Sequence, residues 1–200
     1  MFTENEVALM VEDPEIQSVV EELKKDFMRK EAPYMEINNH DFLSLILLVP
    51  AIGVAYANNN ISLKEELNLN KKARKLSKGG YFIKKDPVVV VMQFLIKKFD
   101  TWEMIFLNTL RGILFRLLDK QSLMDANHYG SETPFAKQVL NAPYIFIRFL
   151  SCFFLANEED IIYPHKALKV EHNKICDIGQ KLDLGDVPIF QSFCQTYSIK

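Results

Sequence analysis

The sequence predicts an all-α, single-domain helical bundle of seven to nine helices, and three observations carry that expectation. Capping residues followed by proline (Asp13-Pro14, Asp86-Pro87, Thr133-Pro134) recur along the chain, and apolar residues between them repeat at helical spacing. Only seven Gly and eight Pro leave too little punctuation for the many tight turns of an all-β chain. At 200 residues, 48% hydrophobic and 25% charged, the chain is long enough to bury one substantial core.

Residues 1–31 read as an acidic helical extension. Asp13-Pro14 sets a capping oxygen ahead of a proline at the first helical position, where the missing N–H costs nothing. Ile16, Val19, Val20, Leu23 and Phe27 then form one stripe on a helix over 14–30. Between Glu4 and Glu22 there are seven carboxylates and no base.

Residues 32–85 open on Ala32-Pro33-Tyr34 and continue into the apolar run Phe42 to Ala57, 16 residues that include Ser44, Pro50 and Gly53. That falls short of the roughly 20 residues needed to span a bilayer, so it reads as a buried central helix. Ser62-Leu63-Lys64-Glu65 fits a capping box, in which Ser62 and Glu65 satisfy each other's backbone donors. It starts a helix over 62–78 with Leu67, Leu69, Ala73 and Leu76 inward and Lys71, Lys72, Arg74, Lys75 and Lys78 around the rest, stopped by Gly79-Gly80.

Residues 86–141 read as connecting helices. Asp86-Pro87 caps the first, and the β-branched run Val88 to Val91 is assigned to it because Met92, Phe94, Leu95 and Ile96 carry the apolar pattern onward. Trp102, Ile105, Phe106, Leu110, Ile113, Leu114 and Leu117 predict a long helix over about 100–125. Gly130 and Thr133-Pro134 punctuate the remainder of this stretch. In residues 142–200, the stretch 143–156 is apolar nearly all round apart from Arg148 and reads as a central helix. Val170, Ile175, Ile178 and Leu182 lie on a helix over 164–183 that Gly185 ends.

Two stretches share one design, which predicts an internal pseudo-repeat of 32–85 and 142–200. Each has Ala-Pro-Tyr, an apolar helix, an oxygen-rich elbow and a charged helix: Ala57-Asn58-Asn59-Asn60-Ile61 leads to Glu65, and Ala156-Asn157-Glu158-Glu159-Asp160-Ile161 leads to Glu171. This rhythm resembles the tellurite-resistance TerB-like family, an all-helical fold of two similar halves in which an apolar helix ends in Ala-Asp-Gly-x-Ile and a Glu follows in the next helix. Asn58 stands where that family has Asp, Asn59 stands for its Gly, and Glu65 for its Glu. Ile178-Gly179-Gln180-Lys181-Leu182-Asp183-Leu184-Gly185 followed by Phe190 resembles the family's closing helix and Leu-Gly turn. The resemblance covers residues 40–80 and 145–195. It implies a non-enzymatic, stress-associated cytoplasmic binding or scaffold module that takes a divalent metal or docks to partners near a membrane.

Calcium or another divalent cation needs six to eight hard oxygen ligands. Asn157, Glu158, Asp160 and Glu171 are the richer candidate set, and Asn58 and Glu65 the poorer one. Turn and cap chemistry is the competing account of the same residues, since Asn favours left-handed turns and acids complement helix N-termini. Lys71, Lys72, Arg74 and Lys75 are candidates for contact with phosphate or another anion, against a plain solvated helix face. Arg148, set in a Phe-rich helix, is either a structural ion-pair partner or the counter-ion of a carried apolar, lipid-like ligand.

Exclusions narrow the function. His40, His128, His165 and His172 are scattered without zinc-binding spacing, and no phosphate-binding glycine loop or nucleophile elbow occurs. Catalysis is therefore not expected. A net charge of −2 removes bulk polyanion binding, and no nucleic-acid recognition motif is present. Protein partners, a second copy of the chain among them, are the expected ligands, with membrane-surface contact left open and no transmembrane segment. Cys152, Cys176 and Cys194 form no CxxC pair and are odd in number, which suits reduced thiols in a cytoplasmic protein.

Overall fold

The computed structural model describes residues 1–79, 85–130, 132–155, 160–162 and 165–200. Among them are eleven α-helices and one pair of short strands. The chain is mostly helical, as expected; the greater number of helices comes from three short ones in the second half.

Capping chemistry places the helices after Asp13, Ser62 and Asp86 where the sequence puts them, and adds a first helix that the apolar spacing does not mark. Helix α1 (Glu4–Glu12) starts from a capping box between Thr3 and Glu6. Helix α2 (Pro14–Glu31) starts from Asp13, whose carboxylate accepts the N–H groups of Glu15 and Ile16. Helix α3 (Asn39–Ala55) is buried from His40 to Ala55. Helix α4 (Leu63–Leu76) starts from the Ser62–Glu65 capping box, and α5 (Pro87–Lys97) from Asp86. Val88 to Val91 are helical, as the cap ahead of them requires.

Three of the later elements depart from the expected pattern. Helix α6 (Phe99–Leu117) ends well before 125, because Leu118 turns extended and buries its side chain. A 3-10 turn at Gln121–Met124 and the short helices α7 (Ala126–Tyr129) and α8 (Phe135–Asn141) come next. The apolar stretch from 143 splits into α9 (Tyr144–Leu150) and a 3-10 turn at Ser151–Phe153. Residues 165–167 are not helical: strand β1 (His165–Ala167) pairs in parallel with β2 (Tyr197–Ile199), His165 opposite Tyr197. Helices α10 (Lys169–Lys181) and α11 (Pro188–Gln195) complete the chain.

The molecule is organised around α3, which packs against α1, α2, α4, α5, α6 and α10. A helix apolar on every side can only be buried by surrounding it. Buried apolar residues from Phe2 to Phe193 form one contiguous cluster. Phe27 meets Trp102 edge-on at 4.9 Å and Phe106 at 5.3 Å, with Phe42 beside them. A second aromatic group joins Phe149, Phe153, Phe190 and Phe193.

Polar contacts tie these elements together. Asp41, fully buried, accepts the backbone N–H of Lys78 at 2.8 Å and the side-chain amide of Asn38 at 2.8 Å. This fixes the exit of α4 on the start of α3. Glu103 on α6 is bound by Lys174 (2.8 Å) and Lys181 (3.3 Å), which joins α6 to α10. None of the described helices is long and apolar enough to cross a membrane.

Candidate functional site

The oxygen-rich elbows hold their own backbones. At the first, Asn58 Oδ1 accepts the N–H of Asn60 at 3.0 Å, and Glu65 Oε2 accepts the Ser62 N–H at 2.7 Å. At the second, Asp160 Oδ1 accepts the N–H of Ile162 at 2.9 Å, and Glu171 Oε2 accepts the Leu168 N–H at 2.6 Å. Asn157 and Glu158 lie outside the described residues. Among the described residues no three His, Cys, Asp or Glu side chains gather as a metal site would need. The turn-and-cap account therefore covers Asn58, Glu65, Asp160 and Glu171.

The basic helix face divides. Lys71, Arg74 and Lys75 are exposed, but Lys72 is 1% exposed and its ammonium donates to the backbone carbonyls of Ser151 and Phe154. Its spacing carries the signal: Lys72 sits three residues after Leu69 and four before Leu76, on the inward face. Lys72 works from inside, joining α4 to the 3-10 turn after α9.

Arg148 belongs to an ion pair. Its Nε lies 3.3 Å from Glu6 Oε1 and donates to the Tyr144 hydroxyl at 2.6 Å, with the guanidinium stacked over the Tyr144 ring. Burial acts to raise the Glu6 carboxyl, but hydrogen bonds from Tyr144 and Thr3 and the Arg148 charge outweigh it and hold Glu6 below the usual carboxylate range. The Phe residues flanking Arg148 pack on one another: Phe146, Phe149 and Phe153 are buried.

Residues with core spacing that the fold leaves exposed are more informative. Val19 on α2, Ile105 on α6 and Leu67 on α4 all have core periodicity, yet are 40%, 44% and 52% exposed. Val19 and Ile105 line the same groove, a cavity of about 540 Å³ between α2 and α6. Arg116 at the end of α6 reaches Asp13 and Glu15 at the start of α2, while Trp102 at the other end donates to Glu31 at 2.8 Å, so the two helices run antiparallel. The groove floor is Ile16, Leu23 and Ile113; Glu15, Glu22 and Asp26 rim it. Gly112 leaves it open, since a Cβ there would meet nothing within 4 Å.

At the Arg116 end the rim is neutralised. Burial acts upward on Asp13, but the N–H groups of Ile16 and Glu15 and the Arg116 guanidinium outweigh it and hold its carboxyl low. Toward the other end Asp26 is likewise paired, with Arg29 and Lys30, and Glu22 is the exposed carboxylate of the rim. Asp26 is itself held low, first by its hydrogen bond from Lys30 and then, against slight burial, by Arg29.

Helix α4 presents the complementary surface. Leu63 (73% exposed), Leu67, Lys71 and Lys75 recur every fourth residue along its outer face, with Arg74 beside them. At 1.5 Å per residue this stripe is about 18 Å long, against about 16 Å for the groove from Glu15 to Asp26.

Comparison with protein-family models, curated proteins and solved structures gives no match for this chain. The functional reading is therefore built from these surfaces.

Proposed function

We propose that the chain is a non-enzymatic helical binding and scaffold module that self-associates head to tail, the α4 stripe of one copy lying in the α2/α6 groove of the next. The carrying observation is the pairing of two unpartnered surfaces of similar length and opposite character. Leu63 and Leu67 face the apolar end near Ile16, Val19 and Gly112, and Lys71, Arg74 and Lys75 face Glu22. The contact joins different patches on the two copies, so repetition gives a ring or a filament.

Affinity is weak, because two leucines and a few solvent-screened charge pairs must offset the freedom lost on association. Dissociation constants near the millimolar range are expected, about −4 kcal/mol. The TerB-like resemblance supports a scaffold reading.

Sedimentation velocity over a concentration series tests this. The sedimentation coefficient should rise with concentration at low salt, fall back as salt screens the basic–acidic contacts, and stay monomeric in Gly112→Trp, which fills the groove. A monomer at about 1 mM, or association unchanged by Gly112→Trp, would remove the proposal.

A further inference from the structure

Cys176 on α10 and Cys194 on α11 lie between two contacts that join the last two helices. Gly179 on α10 lies so close to Phe190 on α11 that an added Cβ would run into the ring. Two turns back along α10, His172 Nε2 lies 3.1 Å from the carbonyl oxygen of Cys194. His172, Cys176 and Gly179 share one face of α10, and Phe190 and Cys194 share one face of α11. The two contacts bracket the cysteines and hold them on the facing sides of α10 and α11. Both are half-buried, whereas Cys152 is buried elsewhere beside Arg148.

We propose that Cys176 and Cys194 are an oxidant-responsive dithiol that closes to a disulfide between α10 and α11 when the protein meets a hydroperoxide. Thiols held between two such close helix contacts can reach the S–S distance of about 2.05 Å by side-chain rotation. The roles are unequal. Burial, and then the charge of Cys176, push the Cys194 thiol up, so Cys194 keeps its proton and the attack falls to Cys176.

The Cys176 thiolate attacks one peroxide oxygen, the O–O bond breaks, and the departing alkoxide or hydroxide takes up a proton. Cys176 is left as a sulfenic acid, oxidised by two electrons. The sulfur of Cys194 then attacks that of Cys176; the S–S bond forms, the S–O bond breaks, and hydroxide leaves as water with the Cys194 proton. The bond staples α11, and with it β2 and its pairing to β1, onto α10.

The test uses the full chain treated with a modest excess of hydrogen peroxide, alkylated under denaturing conditions, digested and analysed by mass spectrometry. The proposal expects an intrachain Cys176–Cys194 peptide lighter by two hydrogens, reversed by dithiothreitol, with Cys152 still alkylated. In Cys194→Ser the sulfenic acid should persist on Cys176 long enough for dimedone to trap it. Free alkylation of both thiols after peroxide, a link through Cys152, or a link only between chains would overturn it.

Discussion

The ammonium of Lys72, on helix α4, donates to the backbone carbonyl of Phe154, at the end of the 3-10 turn after α9. At 1% exposure the ammonium has lost its water, and carbonyl oxygens take the place of part of it. Lys72→Met keeps the aliphatic packing and removes the charge, leaving those carbonyls without their donor. A loss of about 2–4 kcal/mol is expected, against less than about 0.5 kcal/mol for Lys71→Met or Lys75→Met on the exposed face. Urea denaturation of the three variants checks the contrast.

The elbow carboxylates cap helices, so their removal should weaken folding regardless of metal. Glu65→Ala and Glu171→Ala are each expected to cost about 0.5–2 kcal/mol. Thermal melts with and without millimolar calcium should show the same loss. A loss seen only with calcium present would return both residues to ligand duty.

Glu6 gives the fold a pH signature. Its folded carboxyl is held below the usual range, so its contribution is present above the unfolded value of about 4.3 and disappears as pH falls through the folded value. Tyr144→Phe removes a hydrogen bond to the ionised form. The stability gap between parent and variant should be full at neutral pH and narrow below about pH 4. Denaturation curves at a series of pH values measure it.

Helix starts were readable at three local caps, Asp13, Ser62 with Glu65, and Asp86, whereas Thr133 ahead of Pro134 makes no side-chain cap on α8. The boundaries that failed depend on distant partners. Leu118 leaves the helix to bury its side chain, and nearby Lys120 pairs with Asp183. His165 to Ala167 become a strand because Tyr197 to Ile199 lie alongside, a pairing that no local pattern encodes. The sequence puts Lys72 with the outer basic face, and its burial at 1% exposure corrects that reading; the spacing from Leu69 and Leu76 is the signal that its charge obscures. The groove was not legible: Val19 and Ile105 have core spacing, and only the fold reveals that they stay exposed.

The contact between α10 and α11 leaves no room at Gly179. Gly179→Ala drives a methyl into the Phe190 ring and is expected to cost about 1–3 kcal/mol. Adding Phe190→Leu should recover part of that loss, a coupling that a double-mutant cycle resolves.

The most direct measurement mixes two variants, each damaged on one surface. Gly112→Trp fills the groove and keeps the stripe, whereas Leu67→Asp breaks the stripe and keeps the groove. Each alone should sediment as a monomer, and the mixture should form a one-to-one dimer that grows no further. A mixture that stays monomeric while the parent chain associates, or either variant associating by itself, would contradict head-to-tail seating of α4 between α2 and α6.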